Sequence, residues 1–184
     1  MPKIISKKRL GKTFFTALLL GLYLNTGVAQ VLKYDNDEQL MGAAAASPSS
    51  TYLVLKRVVD KCGGYDDSLR ASGDQALRSW EERHHAYLEE NLRVREQFDA
   101  MLRTAPALHD EFRKMVEKDL PSFVDKQFQV YALAIDAQPT QSGKIDVCRS
   151  FIQAVLAQKF DLKANDPTLS AYLDKRIRSH QTSK

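Results

Sequence analysis

The sequence predicts an all-α protein, a single-domain antiparallel bundle of about five or six helices. Three observations carry that expectation. Apolar residues recur three and four positions apart over long stretches, no segment alternates with the period of two that marks a strand, and the connections are mostly short.

The chain opens with five cations, Lys3, Lys7, Lys8, Arg9 and Lys12, and no acid, followed by an apolar run from Phe14 to Leu24. That order predicts a secretory signal peptide over residues 1–29, with Gly27-Val28-Ala29 supplying the small residues before a cut at Gln30. As a helix the apolar run would rise only ~17 Å, short of the ~30 Å core of a bilayer, so no transmembrane anchor is expected after cleavage. No cysteine stands near the cut to carry a lipid.

Removing the leader changes the charge argument. The whole chain has 27 Lys and Arg against 23 acids and a pI near 9.0. Without the five leader cations it has 22 against 23, a net charge of −1. Overall basicity therefore gives no support to a nucleic-acid partner, and none is expected.

From Gln30 to Ser50 the chain is poor in large apolar residues and contains four consecutive alanines and Ser47-Pro48-Ser49-Ser50. It reads as a flexible approach to a helical domain over 51–178, with a weak Ala-rich helix from Glu38 to Ala46, permitted by propensity but with little apolar surface to dock, as the alternative. The first helix is expected from Thr51 to Cys62, capped by Ser49 or Ser50 and stopped by Gly63-Gly64, with Tyr52, Leu55, Val58, Val59 and Cys62 on one face. A second begins near Asp67 or at the capping box Ser72-x-x-Gln75 and continues without proline to Thr104. Leu77, Trp80, His84, Tyr87, Asn91, Val94, Phe98 and Met101 form its stripe. A helix this long requires shorter helices to pack along different parts of it.

Pro106 suits the first turn of a third helix carrying Leu108, Phe112, Met115 and Val116, and Pro121 predicts a kink or a fresh start. Val124, Phe128, Tyr131 and Ile135 continue the pattern to a loop at 138–143. Ile145, Cys148, Phe151, Ile152, Val155, Leu156 and Phe160 mark the next helix, and Asp166-Pro167 opens a last one with Leu169, Tyr172, Leu173 and Ile177. Residues 179–184 are expected to fray.

Cys62 and Cys148 are the only cysteines, and in an oxidising compartment they are expected to pair. The bond would close a loop of roughly 87 residues, which the chain-entropy treatment values at about 4–5 kcal/mol. It would also make the first helix a neighbour of the one bearing Cys148. The order of Cys62, a helix with Trp80 and Arg83, and Cys148 resembles small exported helical proteins of Gram-negative bacteria; the resemblance implies a periplasmic location and no residue role.

Chemistry is expected in one place at most. Glu81, His84, His85 and Glu89 stand at spacings of three and four on the long helix, where carboxylate and imidazole can meet on a face, as in metal-binding bundles. A di-iron site needs a second Glu-x-x-His pair, and Pro106 and Ile177 stand where its acids would precede His109 and His180. His109-Asp110-Glu111 fits dipole complementation in a first turn, and Lys175, Arg176, Arg178 and Lys184 fit it at a helix end. There is no phosphate loop, nucleophile elbow, haem motif or Cys-x-x-Cys pair, so no cofactor and no catalytic residue are assigned. The expected function is a periplasmic or secreted non-enzymatic interaction protein, of adaptor, chaperone-like or immunity type, with another cell-envelope protein as partner. The alternative is a small-molecule or metal-binding bundle using the His84/His85 region.

Overall fold

The computed structural model describes residues 33–104, 110 and 113–182. The signal-peptide expectation for 1–29 and the helix start around Pro106 to Phe112 lie largely outside these residues. Among the described residues there are six α-helices and no strand: α1 Asp37–Gly63, α2 Asp67–Thr104, α3 Leu120–Asp136, α4 Gln141–Leu156, α5 Leu162–Asn165 and α6 Pro167–Thr182. The predicted helical bundle is what the chain forms.

The first departure from expectation is at the start. The stretch read as a flexible approach is helical from Asp37, capped by Asn36, whose side chain accepts the Gln39 amide at 2.9 Å. Asp37 and Glu38 then sit where the dipole favours acids. Pro48 lies inside this helix, where it lacks an amide to offer the Ala44 carbonyl one turn back. Asn91 on α2 supplies the missing donor, its Nδ2 reaching Ala44 O at 2.7 Å in a buried contact. Ala44 and Ala45 are buried, so the alanine run is an interface and not a spacer.

The start of α2 is held by Asp66, whose Oδ1 accepts the Ser68 amide at 2.8 Å and the Ser68 hydroxyl. The Ser68 contacts hold the Asp66 carboxyl below its ordinary pKa. Ser72, the expected capping residue, bonds back to Ser68 O at 2.9 Å inside the helix instead. Gly73 lets α1 approach: a Cβ there would stand 2.7 Å from Val59 Cγ1.

Ahead of α3 the chain makes a π-helical turn, Met115–Asp119, in which the Leu120 amide bonds the Met115 carbonyl five residues back. Pro121 follows as the second residue of α3 and has no amide to continue the ladder. The wider turn is how the chain passes the proline without a break. Thr140 caps α4, accepting the Gly143 amide at 3.0 Å, so Gln141, Ser142 and Gly143 are a first helical turn and not loop. Asp166 caps α6 through the Leu169 amide at 3.0 Å, beside Pro167 at the first helical position. α6 continues to Thr182, so residues 179–182 of the stretch expected to fray are helical.

α1 and α2 are an antiparallel pair, with α3 along the second half of α1. Cys62 and Cys148 are bonded, with Cα atoms 5.5 Å apart, which sets α4 against the α1–α2 corner. Two cores lie end to end along α2. The first joins Leu55, Val58, Val59, Leu77, Trp80, Ile135, Phe151, Ile152 and the disulfide. The second joins Ala44, Ala45, Tyr87, Val94, Leu162, Leu169 and Leu173. α4 and α6 thus occupy successive lengths of α2, as its extent requires. Met101, expected in the stripe, is 49% exposed.

Candidate functional site

One turn of α2 grips the connection between α4 and α5. Trp80 Nε1 donates to Phe160 O at 3.1 Å. Arg83 forms a fork on Asp161, Nε to Oδ2 and Nη2 to Oδ1, both at 2.9 Å, and its Nη2 also donates to Val155 O at 3.2 Å. Leu162 N donates to His84 Nε2 at 3.0 Å. Side chains at positions 80, 83 and 84 therefore hold residues 160, 161 and 162 in order. The connection needs such a grip, because Gln158 turns the chain at a φ of 61°, a conformation usually left to glycine or asparagine.

His84 is buried, and its ring stacks on Trp80 with centroids 4.0 Å apart and planes within 10°. Its Nδ1 lies 2.8 Å from Trp80 O, a carbonyl that can only accept, while Nε2 receives the Leu162 amide. These partners specify the neutral imidazole protonated on Nδ1. Burial is the largest influence on the ring and lowers its pKa from the ordinary 6.5. Neither nitrogen is left for a metal.

The other candidates are dispersed. His85 is exposed, 3.8 Å from Glu89. Glu89 also meets Arg93 at 3.3 Å. Glu81 lies near Tyr52, whose phenol is raised by burial and then by that carboxylate. Glu81, His84, His85 and Glu89 do not converge, and no group of three or more His, Cys, Asp or Glu among the described residues is arranged to hold a metal ion.

Glu90, not singled out from the sequence, is the deepest charge. It is fully buried, receives Arg176 Nε at 2.7 Å and Arg93 Nη1 at 2.9 Å, and has His180 Nε2 at 3.5 Å. Burial alone would raise its pKa, but Arg176, Arg93 and His180 together outweigh it and hold the carboxyl below the ordinary 4.5. Arg176, expected only to complement a dipole, is thus a tie between α6 and α2. Tyr87 likewise donates to Asp174 at 2.9 Å. Every buried side-chain polar atom among the described residues has a partner.

One of the open spaces is largely apolar. A groove of about 510 Å³ runs between α1, α3 and the chain from Phe160 to Asp166. Ala43, Ala46, Ser47, Ser50, Val54 and Leu55 form one wall at helical spacing, and Leu120, Phe123, Gln127 and Tyr131 face them from α3. Phe160 and Leu162, fixed by the grip of Trp80 and His84, line it too. Phe123 at the groove is 51% exposed, and Val130 and Leu133 further along α3 are 63% and 65% exposed. The continuity of α1 through Pro48, which joins the parts of the first wall, was missed because Ser47-Pro48-Ser49-Ser50 reads locally as a break.

No helix among the described residues is long and apolar enough to cross a membrane. No protein-family model matches the chain, and no curated protein and no solved structure matches it.

Proposed function

We propose that the protein is an exported, periplasmic interaction module that binds an apolar segment of another cell-envelope protein in the α1–α3 groove. The observation that carries this reading is the groove itself, of a size that receives ligands and rimmed by exposed Phe123 and continuous helix faces. The polar side chains of α2 support it by their structural engagements: Arg83 with Asp161, His84 with two backbone groups, Glu90 with Arg176. The cationic, then apolar, opening of the sequence supports export.

A photoreactive phenylalanine analogue at position 123, expressed in a Gram-negative host, tests the binding surface. The expected product is a cross-link to an uncharged, apolar stretch of an envelope protein, lost when Ser50→Trp fills the groove. Equal cross-linking from exposed Arg149, remote from the groove, would overturn the reading. Intact mass of the same preparation is expected to begin at Gln30.

A further inference from the structure

His84 stands between the groove and solvent. Its ring borders an open depression of about 670 Å³ beside Arg83, Gln158, Lys159 and Lys163. On the other side its Nε2 holds the amide of Leu162, whose side chain is part of the groove lining. We propose that His84 is a proton-operated latch on the groove: protonation of Nε2 releases Leu162 and loosens the wall formed by residues 160–166. This regulation rests on the reading of the groove as the binding surface.

The geometry requires the coupling. Trp80 O fixes the existing proton on Nδ1, so an added proton has only Nε2 to occupy. There it would face the Leu162 N–H, donor against donor, and the bond that positions Leu162 would be gone. The imidazolium also finds no free counter-ion. Asp161 on the gripped turn is engaged by the Arg83 fork, and Asp174 on α6 accepts from Tyr87 and pairs with Lys163 on α5 at 3.8 Å. Lys159 on the turn and Arg83 on the same helix are like charges, and from α1 the phenol of Tyr52 stacks on Trp80. Burial acts in the same direction, keeping the ring neutral above its lowered pKa.

Amide exchange of the full chain, corrected for intrinsic pH dependence, tests the latch between pH 7.5 and 5.0. Protection of Leu162 and its neighbours through Asp166 is expected to fall by about tenfold, since the released ring regains the ordinary pKa of 6.5 and each pH unit below that value favours the open state tenfold until the folded ring is itself protonated. His84→Gln, which cannot titrate, is expected to abolish that fall. An equal fall in His84→Gln, or unchanged wild-type protection after the imidazole has titrated, would overturn the proposal. Should the variant not fold, nitrogen NMR of wild-type His84 decides: the Nδ1–H tautomer must convert to imidazolium together with loss of Leu162 protection. Cross-linking from position 123 at pH 7.5 reads the groove independently, so its failure alone removes the binding surface and leaves the latch standing.

Discussion

Asn91 Nδ2 donates to Ala44 O at 2.7 Å, which is the carbonyl that Pro48 deprives of a helical partner. A side chain on α2 thereby completes the backbone of α1. Asn91→Ala is expected to destabilise the fold by about 1–3 kcal/mol, because the carbonyl is left buried without a donor. In a Pro48→Ala background position 48 regains an amide, and the penalty is expected to shrink. Denaturant unfolding of the four proteins in that double-mutant cycle measures the coupling; additive penalties would show that the two sites act separately.

The Cys62–Cys148 bond spans a sequence separation of 86. Replacing both cysteines by alanine is expected to cost about 2–5 kcal/mol, with the entropy of the unfolded chain as the main source. Urea unfolding of oxidised protein, reduced protein and the double variant checks this. Reduction and substitution should give similar losses.

Arg83 grips Asp161 through two parallel bonds, and lysine cannot reproduce a planar fork. Arg83→Lys is expected to lose about 1–2 kcal/mol and Arg83→Ala about 2–3 kcal/mol, since this pair is largely shielded from water. By contrast His85→Ala, which removes only an exposed contact to Glu89, is expected to change stability by less than about 0.5 kcal/mol. Thermal unfolding of the three variants ranks them.

Glu90 ionises more readily folded than unfolded, because Arg176 and Arg93 outweigh its burial. Its contribution is therefore present above the ordinary carboxyl value of 4.5 and is lost as pH falls below that value through the folded one. Glu90→Gln is expected to lower stability at pH 7 by about 3 kcal/mol, leaving Arg176 without its counter-charge, and to flatten the dependence between pH 5 and 2. Unfolding curves across that range, with the variant beside wild type, test both parts.

Gly73→Ala is expected to destabilise by about 1–3 kcal/mol, because the new Cβ would meet Val59 Cγ1 at 2.7 Å and force α1 and α2 apart. Adding Val59→Ala should recover part of the loss. Failure of that rescue in denaturant unfolding would place the strain elsewhere.

Much of the fold was legible in residue spacing. Leu77, Trp80, His84, Tyr87, Asn91 and Val94 recur at helical intervals and are buried, and the two cysteines do form a bond. The start of α1 was not legible, since Pro48 is a local signal to stop and its compensation comes from Asn91, 47 positions beyond the Ala44 carbonyl it serves. α5 is four residues long and too short for any periodicity. At the candidate site the sequence marked His84 as conspicuous but not why: the partner is a backbone amide 78 positions later, which no side-chain pattern encodes. Glu90 read as one acid among several, because its arginine lies on α6. The groove was invisible for a related reason, as its walls come from two helices and a connection.

The disulfide ties residues 62–148 into a covalent ring that contains α2 and α3. The chain before Cys62 and the chain after Cys148 leave this ring as two linear tails, and both lie along α2. The core of Ala44, Leu169 and Leu173 belongs to those tails together with the far part of α2, whereas the core of Trp80 and Ile152 sits at the ring closure. The far core can therefore unzip from both ends without opening the ring, and its amides should exchange through such partial openings. The bond holds together the half of the molecule it closes and leaves the other half to Asn91, Tyr87 and Glu90.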